Sequence, residues 1–574
     1  DSSLLIRDVK RFIAEKNPDS PLPKPAKANG MKAAIIGAGP SGLACAYFLA
    51  LEGFAVTVYE TKAFAGGMVS DAIPAFRLTA EAIEKDVRAI QGLGVKLSFE
   101  TAITRDRFAA LRNENDFIYV AVGAQAARKM GIPGEDAAGV IDCLKFLSDV
   151  RRGKKVSIGP RVAVVGGGNS AMDAARTALR LVGSSGKVVL VYRRTRAEMP
   201  ADREEIEAIL DEKIEILELC APESVMTRDG KVSALKVQKM RLGAKGADGR
   251  AKPEKMPGAL EDLPFDTIIP AISQDVVIEF MTPEELKIDP GTGMTKLDNV
   301  FAGGDLVRGA ATIIKAVGDG RQAAMNIMAK AGRPLSMLAG RVEKHLSFAQ
   351  FQQKSARRIH GLKLPEIPVS DRGNFNVVIR SLTDSEVREE ARRCLSCDDV
   401  CNVCVSVCPN RANQSYQVKT RDFQKQRAVR KNGSWKIETL ETFRLGQEPQ
   451  VLNIGDFCNE CGNCTSFCPT SGAPYKDKPK FYLTEKSFEH ESDGFRWEGE
   501  TLHAKFGGTP ESLTPRNGKL QYQAGLVKAI LNVDTLAVES VEVEGKSKEL
   551  KEIDFSKALR MGILYQATKG AWWA

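Results

Sequence analysis

Histidine, tryptophan and long apolar runs are scarce in this chain of 574 residues. No apolar stretch reaches the roughly 20 residues that cross a bilayer, and no secretory signal opens the sequence. A membrane span is therefore excluded, and the expected compartment is the cytoplasm. The four histidines (His345, His360, His490, His503) have no partners at ligand spacing, and no Ser/His/Asp grouping points to nucleophilic catalysis. Residues 31–331 contain only Cys45, Cys143 and Cys220, none at the Cys-x-x-Cys spacing of a dithiol reductase. The net charge of +9 comes without a helix-turn-helix, zinc-finger or RNA-recognition signature, so nucleic acid is not the expected partner. An acidic protein would meet the same charge.

Glycine is plentiful, with 50 residues, and it falls into patterns. Ala33–Ile36 reads as a buried parallel strand that runs into Gly37-x-Gly39-Pro40-Ser41-Gly42 and then a helix. In such a loop the first glycine makes the tight turn, the second admits a pyrophosphate, and the third lets the helix pack closely. The free N–H groups at the helix start face the phosphates. Val56–Tyr59 is a second strand. Glu60, about 20 residues past the glycines, is placed to accept from an adenosine ribose hydroxyl. Gly66-Gly67-Met68 and the run Ile73–Leu78, which includes Arg77, form a loop where a flavin ring can lie. Asp116–Val122 is another buried strand, ending at Gly123.

The pattern restarts near Pro160. Strand Arg161–Val165 leads into Gly166-Gly167-Gly168-Asn169-Ser170-Ala171, a second glycine loop with Ala171 in place of the third glycine. The next strand, Lys187–Tyr192, ends in Arg193 and Arg194, with Arg196 close behind. An acid there would bind a ribose 2′-hydroxyl, whereas guanidinium groups grip a 2′-phosphate, so NADPH is expected over NADH. Phe301–Asp305 returns the chain to the first fold. Asp305 after Gly304 suits contact with ribityl hydroxyls, and Ala311-Thr312 open a helix whose N–H dipole can face a reduced flavin. With the nicotinamide role taken by the second loop, the first is read as an FAD site.

Nine of the twelve cysteines fall between Cys394 and Cys468, which points to metal ligation rather than disulfides. Cys458-x-x-Cys461-x-x-Cys464-x-x-x-Cys468-Pro469 has the bacterial ferredoxin spacing. There, three thiolates hold one [4Fe–4S] cube and the fourth crosses to its neighbour; zinc pairs usually sit further apart. The earlier run, Cys394, Cys397, Cys401, Cys404 and Cys408-Pro409, is irregular. Cys408 mirrors Cys468, so it is assigned to the cube of Cys458, Cys461 and Cys464, while Cys468 returns to the other. Two cubes take eight thiolates, so one of Cys394, Cys397, Cys401 and Cys404 is spare, and the spacing leaves open which.

The expected architecture is α/β: two Rossmann-like nucleotide-binding domains in a glutathione/thioredoxin reductase-like arrangement, then a bacterial ferredoxin-type 2[4Fe–4S] domain and a small β-rich region. Its boundaries are a helix and linker (1–30), the FAD-binding domain (31–157 plus 296–331), the NADPH-binding domain (158–295), a connector (332–384), the ferredoxin-like domain (385–475) and the accessory β region (476–574). Thr383-x-x-Glu386 is a capping box.

The stretches IIGAGPSGLACA, IPAFRL, VVGGGNSAMDAARTALR, YRRTRAEMPA and FAGGD resemble, from Met31 to about Ala331, the NADPH-oxidising small subunit of bacterial glutamate synthase and the matching domains of dihydropyrimidine dehydrogenase. In those families the iron–sulfur domain precedes the flavin domain, whereas here it follows. That order, with SGAPYKDKP at Ser471–Pro479, is similar to the carboxyl part of the iron–sulfur flavoprotein subunit assigned to selenate reductases, and implies residues upstream of Asp1. The resemblance implies FAD at Gly37, Gly39, Gly42, Glu60 and Asp305, and NADPH at Gly166, Gly168, Ala171, Arg193 and Arg194. The implied activity passes electrons from NADPH through FAD to two [4Fe–4S] clusters and on to a partner subunit, domain or ferredoxin, reversibly in principle. An electron-bifurcating subunit, a thioredoxin-reductase-like enzyme and a non-catalytic cluster scaffold are the rival readings.

Overall fold

The computed structural model describes residues 3–17, 23–246, 249–333, 347, 349–350, 353, 359–394, 402–468, 472–545 and 550–573. The chain forms two compact units, one of residues 14–341 and 364–381, the other of 1–13, 342–363 and 382–574.

The first unit is built on two parallel sheets. One runs Val300–Ala302, Phe117–Val120, Lys32–Ile36, Ala55–Tyr59, Lys96–Ser98. Its central strand is buried after its first residue, which is why the sequence there is continuously apolar rather than alternating. The edge strand Val300–Ala302 arrives only after the second sheet has been completed. Helices Pro40–Leu51 and Ile313–Lys330 cross closely: a Cβ on Gly320 would lie 2.0 Å from the Ser41 carbonyl oxygen. Cys45, Leu49, Val58, Tyr119, Phe301 and Ile327 fill the core between helices and sheet.

The second sheet runs Thr267–Pro270, Arg161–Val165, Lys187–Val191, Glu215–Leu217, again parallel. Helix Asn169–Val182 packs on it through Ala171, Met172, Ala175 and Ala178. A separate antiparallel sheet of Cys220–Arg228, Lys231–Lys245 and Ala251–Pro264 follows.

The second unit carries a nine-stranded sheet that starts with Asn413–Gln417 and Pro449–Ile454 and ends with Val538–Val543. It therefore runs across the boundary expected at residue 475. Leu502, Leu513, Leu520, Tyr522 and Leu531 point inward at alternate positions, as a sheet covered on one face requires, and meet Ala558, Met561 and Leu564 of helix Ser556–Thr568. Between the two cysteine runs lies a hairpin, Arg421–Lys431 and Ser434–Leu445. It turns at Asn432-Gly433, both at positive φ, as a two-residue hairpin loop demands. Helix Asp384–Arg392 begins with the expected capping box: Glu386 N–H donates to Thr383 Oγ1 at 3.3 Å, and Thr383 N–H donates to Glu386 Oε2 at 2.8 Å. The N-terminal helix spans Ile6–Lys16. Among the described residues no helix is long and apolar enough to cross a membrane.

Candidate functional site

Three separate turns meet at the first glycine loop. Gly37 sits at φ +106, and a Cβ there would lie 2.4 Å from the Ala121 carbonyl oxygen. A Cβ on Gly42 would lie 2.0 Å from the Gly37 oxygen, whereas the equivalent position at Gly39 is open. That opening leads to the start of helix Pro40–Leu51, where Pro40 is in the first turn and no side chain caps the N–H groups. Gly67 crosses above, its Cβ position 2.9 Å from Gly39 Cα, and Gly304 comes within 2.9 Å of Ser41 Cβ by the same measure. Glu60 is buried at the end of its strand. It accepts from Ala38 N–H at 2.9 Å and from Lys62 N–H at 3.0 Å, so its carboxylate borders the loop.

Asp305 follows Gly304 with Oδ1 buried and unpartnered. Burial raises its carboxyl pKa, against the Ala311 N–H hydrogen bond and the Arg308 charge. A buried acceptor without a donor is costly, and a ribityl hydroxyl is a donor of the right kind. Thr312 caps helix Ile313–Lys330 without a side-chain hydrogen bond, and Ile313 and Ile314 stand exposed in its first turn. Gly123 lies just beyond the neighbouring strand at φ +72.

Three other expected residues have partners within the protein. Ser41 hydrogen-bonds Tyr119 inside the core at 2.7 Å, and Met68 packs against the core of the second sheet. The Arg77 guanidinium reaches Asp173 at 2.9 and 3.0 Å and Glu205 at 2.9 Å, which ties it to the helices of the second fold.

The second loop repeats the geometry of the first with one relaxation. Gly168 caps helix Asn169–Val182 with no side-chain hydrogen bond, and the space at its Cβ position is open. Ala171 is fully buried in the third position. Asn169 is occupied: its amide donates to Asp202 Oδ2 at 3.0 Å and its Oδ1 accepts from Asp202 N–H at 2.9 Å. Ser170 lies beside it, half-buried. At the end of strand Lys187–Val191 the arginines separate. Arg193 is exposed, Arg194 is buried with Nε donating to the Ala251 carbonyl at 2.7 Å, and Arg196 pairs with Glu218 at 2.6 Å. The rest of that motif is structural. The Tyr192 ring lies under Gly167, and Thr195 and Glu198 form a capping box.

In the other unit, Cys408, Cys458, Cys461 and Cys464 line one pocket, with Asn413, Asn453 and Tyr475 beside them. Cys404 and Cys464 are buried in equivalent helical turns, Val403–Ser406 and Asn463–Ser466. The symmetry extends to the thiols that precede proline: Ala412 N–H donates to Cys408 Sγ and Gly472 N–H to Cys468 Sγ, each at 3.2 Å. Asn413, missed in the sequence, donates to the Cys404 carbonyl at 2.9 Å and accepts from Asn453 at 2.9 Å. Cys394 is half-buried beyond helix Asp384–Arg392. Cys397 and Cys401 lie outside the described residues. Among the described residues no three His, Cys, Asp or Glu side chains converge as ligands of a single ion.

Residues 31–320 match the family described as pyridine nucleotide-disulphide oxidoreductase. The chain belongs to that family. Within the family it is like the small chain of glutamate synthase. It is 36% identical over 336 residues to the "Putative glutamate synthase [NADPH] small chain" of Cereibacter sphaeroides, covering 55% of this chain and 81% of that one. The "Putative oxidoreductase YgfK" of Escherichia coli (strain K12) is 34% identical over 507 residues, 86% of this chain and 44% of that protein. The NADPH-Fe(3+) oxidoreductase subunit beta of Geobacter sulfurreducens (strain ATCC 51573 / DSM 12127 / PCA) is 32% identical over 452 residues, covering 69% and 66%. The chain thus spans less than half the length of YgfK. The three cysteines of the matched region, Cys45, Cys143 and Cys220, are all buried, and burial pushes the Cys45 and Cys143 thiols well above the ordinary thiol range.

Proposed function

We propose that this chain takes electrons from NADPH and delivers them, through FAD and two [4Fe–4S] clusters, to an electron-accepting partner. The observation that carries the reading is the orphaned Asp305 Oδ1 at the meeting of the Gly39, Gly67 and Gly304 turns. It is a polar cradle lacking only a donor-bearing ligand. FAD when bound accepts a hydride and releases electrons singly. The chain's own task is placement. Gly39 and the open helix start would hold the pyrophosphate, Glu60 the adenosine ribose, and Asp305 the ribityl chain. Gly168 and its helix would hold the coenzyme pyrophosphate. Arg193 is the exposed cation for a 2′-phosphate, beside an Arg194 already fixed by the Ala251 carbonyl. No side-chain acid or base is needed for hydride transfer between aligned carriers.

The four thiols around the Cys408 pocket suit a cube, in which each thiolate meets a different iron, better than a single ion, on which they would have to converge. Backbone N–H donors to Cys408 and Cys468 would raise the potential of their clusters. The partner is read from the relatives, since one is named as a small chain and another as a subunit. An anaerobic titration tests the whole reading. The purified protein should take up more NADPH than a flavin alone can oxidise, with flavin bleaching and loss of the broad cluster absorbance. Bleaching without a cluster signal would remove the clusters from the account, and no response would remove the enzyme.

A further inference from the structure

The loop that carries Arg77 belongs by sequence to the flavin-side fold, yet its side chains are built into the other one. Arg77 puts one guanidinium nitrogen on both oxygens of Asp173 and another on Glu205, at 2.9–3.0 Å. Asp173 is 6% exposed and lies one turn into the helix whose start, at Gly168, has no side-chain cap and would hold the coenzyme. The preceding residue, Phe76, is buried under the Arg176 and Arg180 guanidinium groups, 4.8 and 4.1 Å from its ring centre. Those arginines are fixed in turn by Glu212 and Glu205 at 2.8–3.2 Å. Arg151 holds the same loop from its other end, donating to the Ser70 and Leu78 carbonyls at 3.2 and 2.9 Å. Arg77 thus bridges carboxylates on two helices, and removing one partner of such a buried pair leaves the other charge uncompensated.

We propose that Phe76 and Arg77 form a positioning latch, which fixes helix Asn169–Val182 against the flavin-side loop and so sets how the nicotinamide meets the flavin. The inference rests on the NADPH-to-FAD reading above. Arg77 is then neither a flavin nor a coenzyme ligand but the residue that holds two binding sites in register. Misplacement by about 1 Å is enough to slow a transfer about 100-fold, so a small slip of this helix would be visible.

The test compares wild type with Arg77→Ala, Arg77→Lys, Asp173→Asn and the Arg77→Ala/Asp173→Asn pair. Two quantities are read: the limiting rate of flavin reduction by NADPH, and amide hydrogen exchange of residues 68–78 and 169–182 without coenzyme. The latch predicts a rate lower by about 10- to 100-fold in Arg77→Ala, with FAD content and NADPH affinity little changed. Exchange should rise in both segments together, Arg77→Lys should lie between, and the pair should be no worse than its worse member. An unchanged rate in the folded variants overturns the proposal. So does a loss that falls on FAD content or NADPH affinity, which would make Arg77 a ligand. If Arg77→Ala does not fold, the same comparison is decided by Arg77→Lys and Asp173→Asn. Should wild-type flavin not respond to NADPH at all, the functional reading fails, while the coupled exchange of the two segments still judges the latch.

Discussion

The two glycine loops are close copies with one informative difference. Each follows a buried strand, each ends in a helix without a side-chain cap, and each leaves an opening at its middle glycine. In the first, the helix lies so close that a Cβ on Gly42 would sit 2.0 Å from backbone oxygen. In the second, the same position carries a real methyl group, that of Ala171, which is fully buried. Strand ends differ as well: buried Glu60 in one, exposed Arg193 in the other. In dinucleotide folds the glycine loop takes a pyrophosphate and the residue ending the next strand reads the ribose, and on the proposed reading that residue tells the two nucleotides apart.

That contrast can be broken at several points. The largest effect is expected from Gly42→Ala, which collides with backbone and should leave a protein without flavin; absorbance at constant protein concentration reads it. Next, Arg193→Ala with Arg194→Ala should weaken NADPH by about 10- to 100-fold, the worth of one or two charge-assisted hydrogen bonds, and leave NADH nearly untouched. Equal losses in a fluorescence titration would refute the 2′-phosphate assignment. Asp305→Ala removes the orphaned acceptor and should cost FAD about tenfold in affinity, measured by dialysis and reconstitution. Ala171→Gly is the mirror of the first substitution. It should cost about 2 kcal/mol in urea unfolding, from lost helix propensity and one buried methyl group, with NADPH binding kept.

The smallest effect is a slope. Burial pushes the Asp173 carboxyl up to about 6, against the pull of Arg77, while Glu205 adds to the rise and Arg176 opposes it. A raised carboxyl favours the protonated folded state, so its contribution is fullest below about pH 4. It declines as pH climbs through about 6. The stability difference between wild type and Asp173→Asn should therefore shift towards the variant over that range. A shift towards wild type would mean that the ion pair outweighs burial.

Much of this was legible from local chemistry. The parallel strands announced themselves as uninterrupted apolar runs, the loops by their glycines, and helix Asp384–Arg392 by Thr383 and Glu386. What escaped was set by distant partners. Nothing near Arg77 in the chain foretells Asp173, 96 residues on, or Glu205. Arg193 and Arg194 are neighbours in sequence but point to different surroundings, because the Ala251 carbonyl of a later strand captures the second. The sheet that crosses residue 475 pairs strands from both sides of a boundary drawn on composition, and composition does not encode pairing. The hairpin at Asn432-Gly433 did carry a signal, in two residues that favour positive φ between alternating strands. Cys408, Cys458, Cys461 and Cys464 line one pocket, while Cys397 and Cys401 lie outside the described residues.

The central claim is a route for electrons, and rapid mixing with NADPH under strict exclusion of oxygen follows it directly. The account predicts that flavin absorbance falls first and the broad cluster absorbance follows, with NADPH far more effective than NADH. Cluster reduction ahead of the flavin, or a flavin that stays reduced beside oxidised clusters, would contradict it.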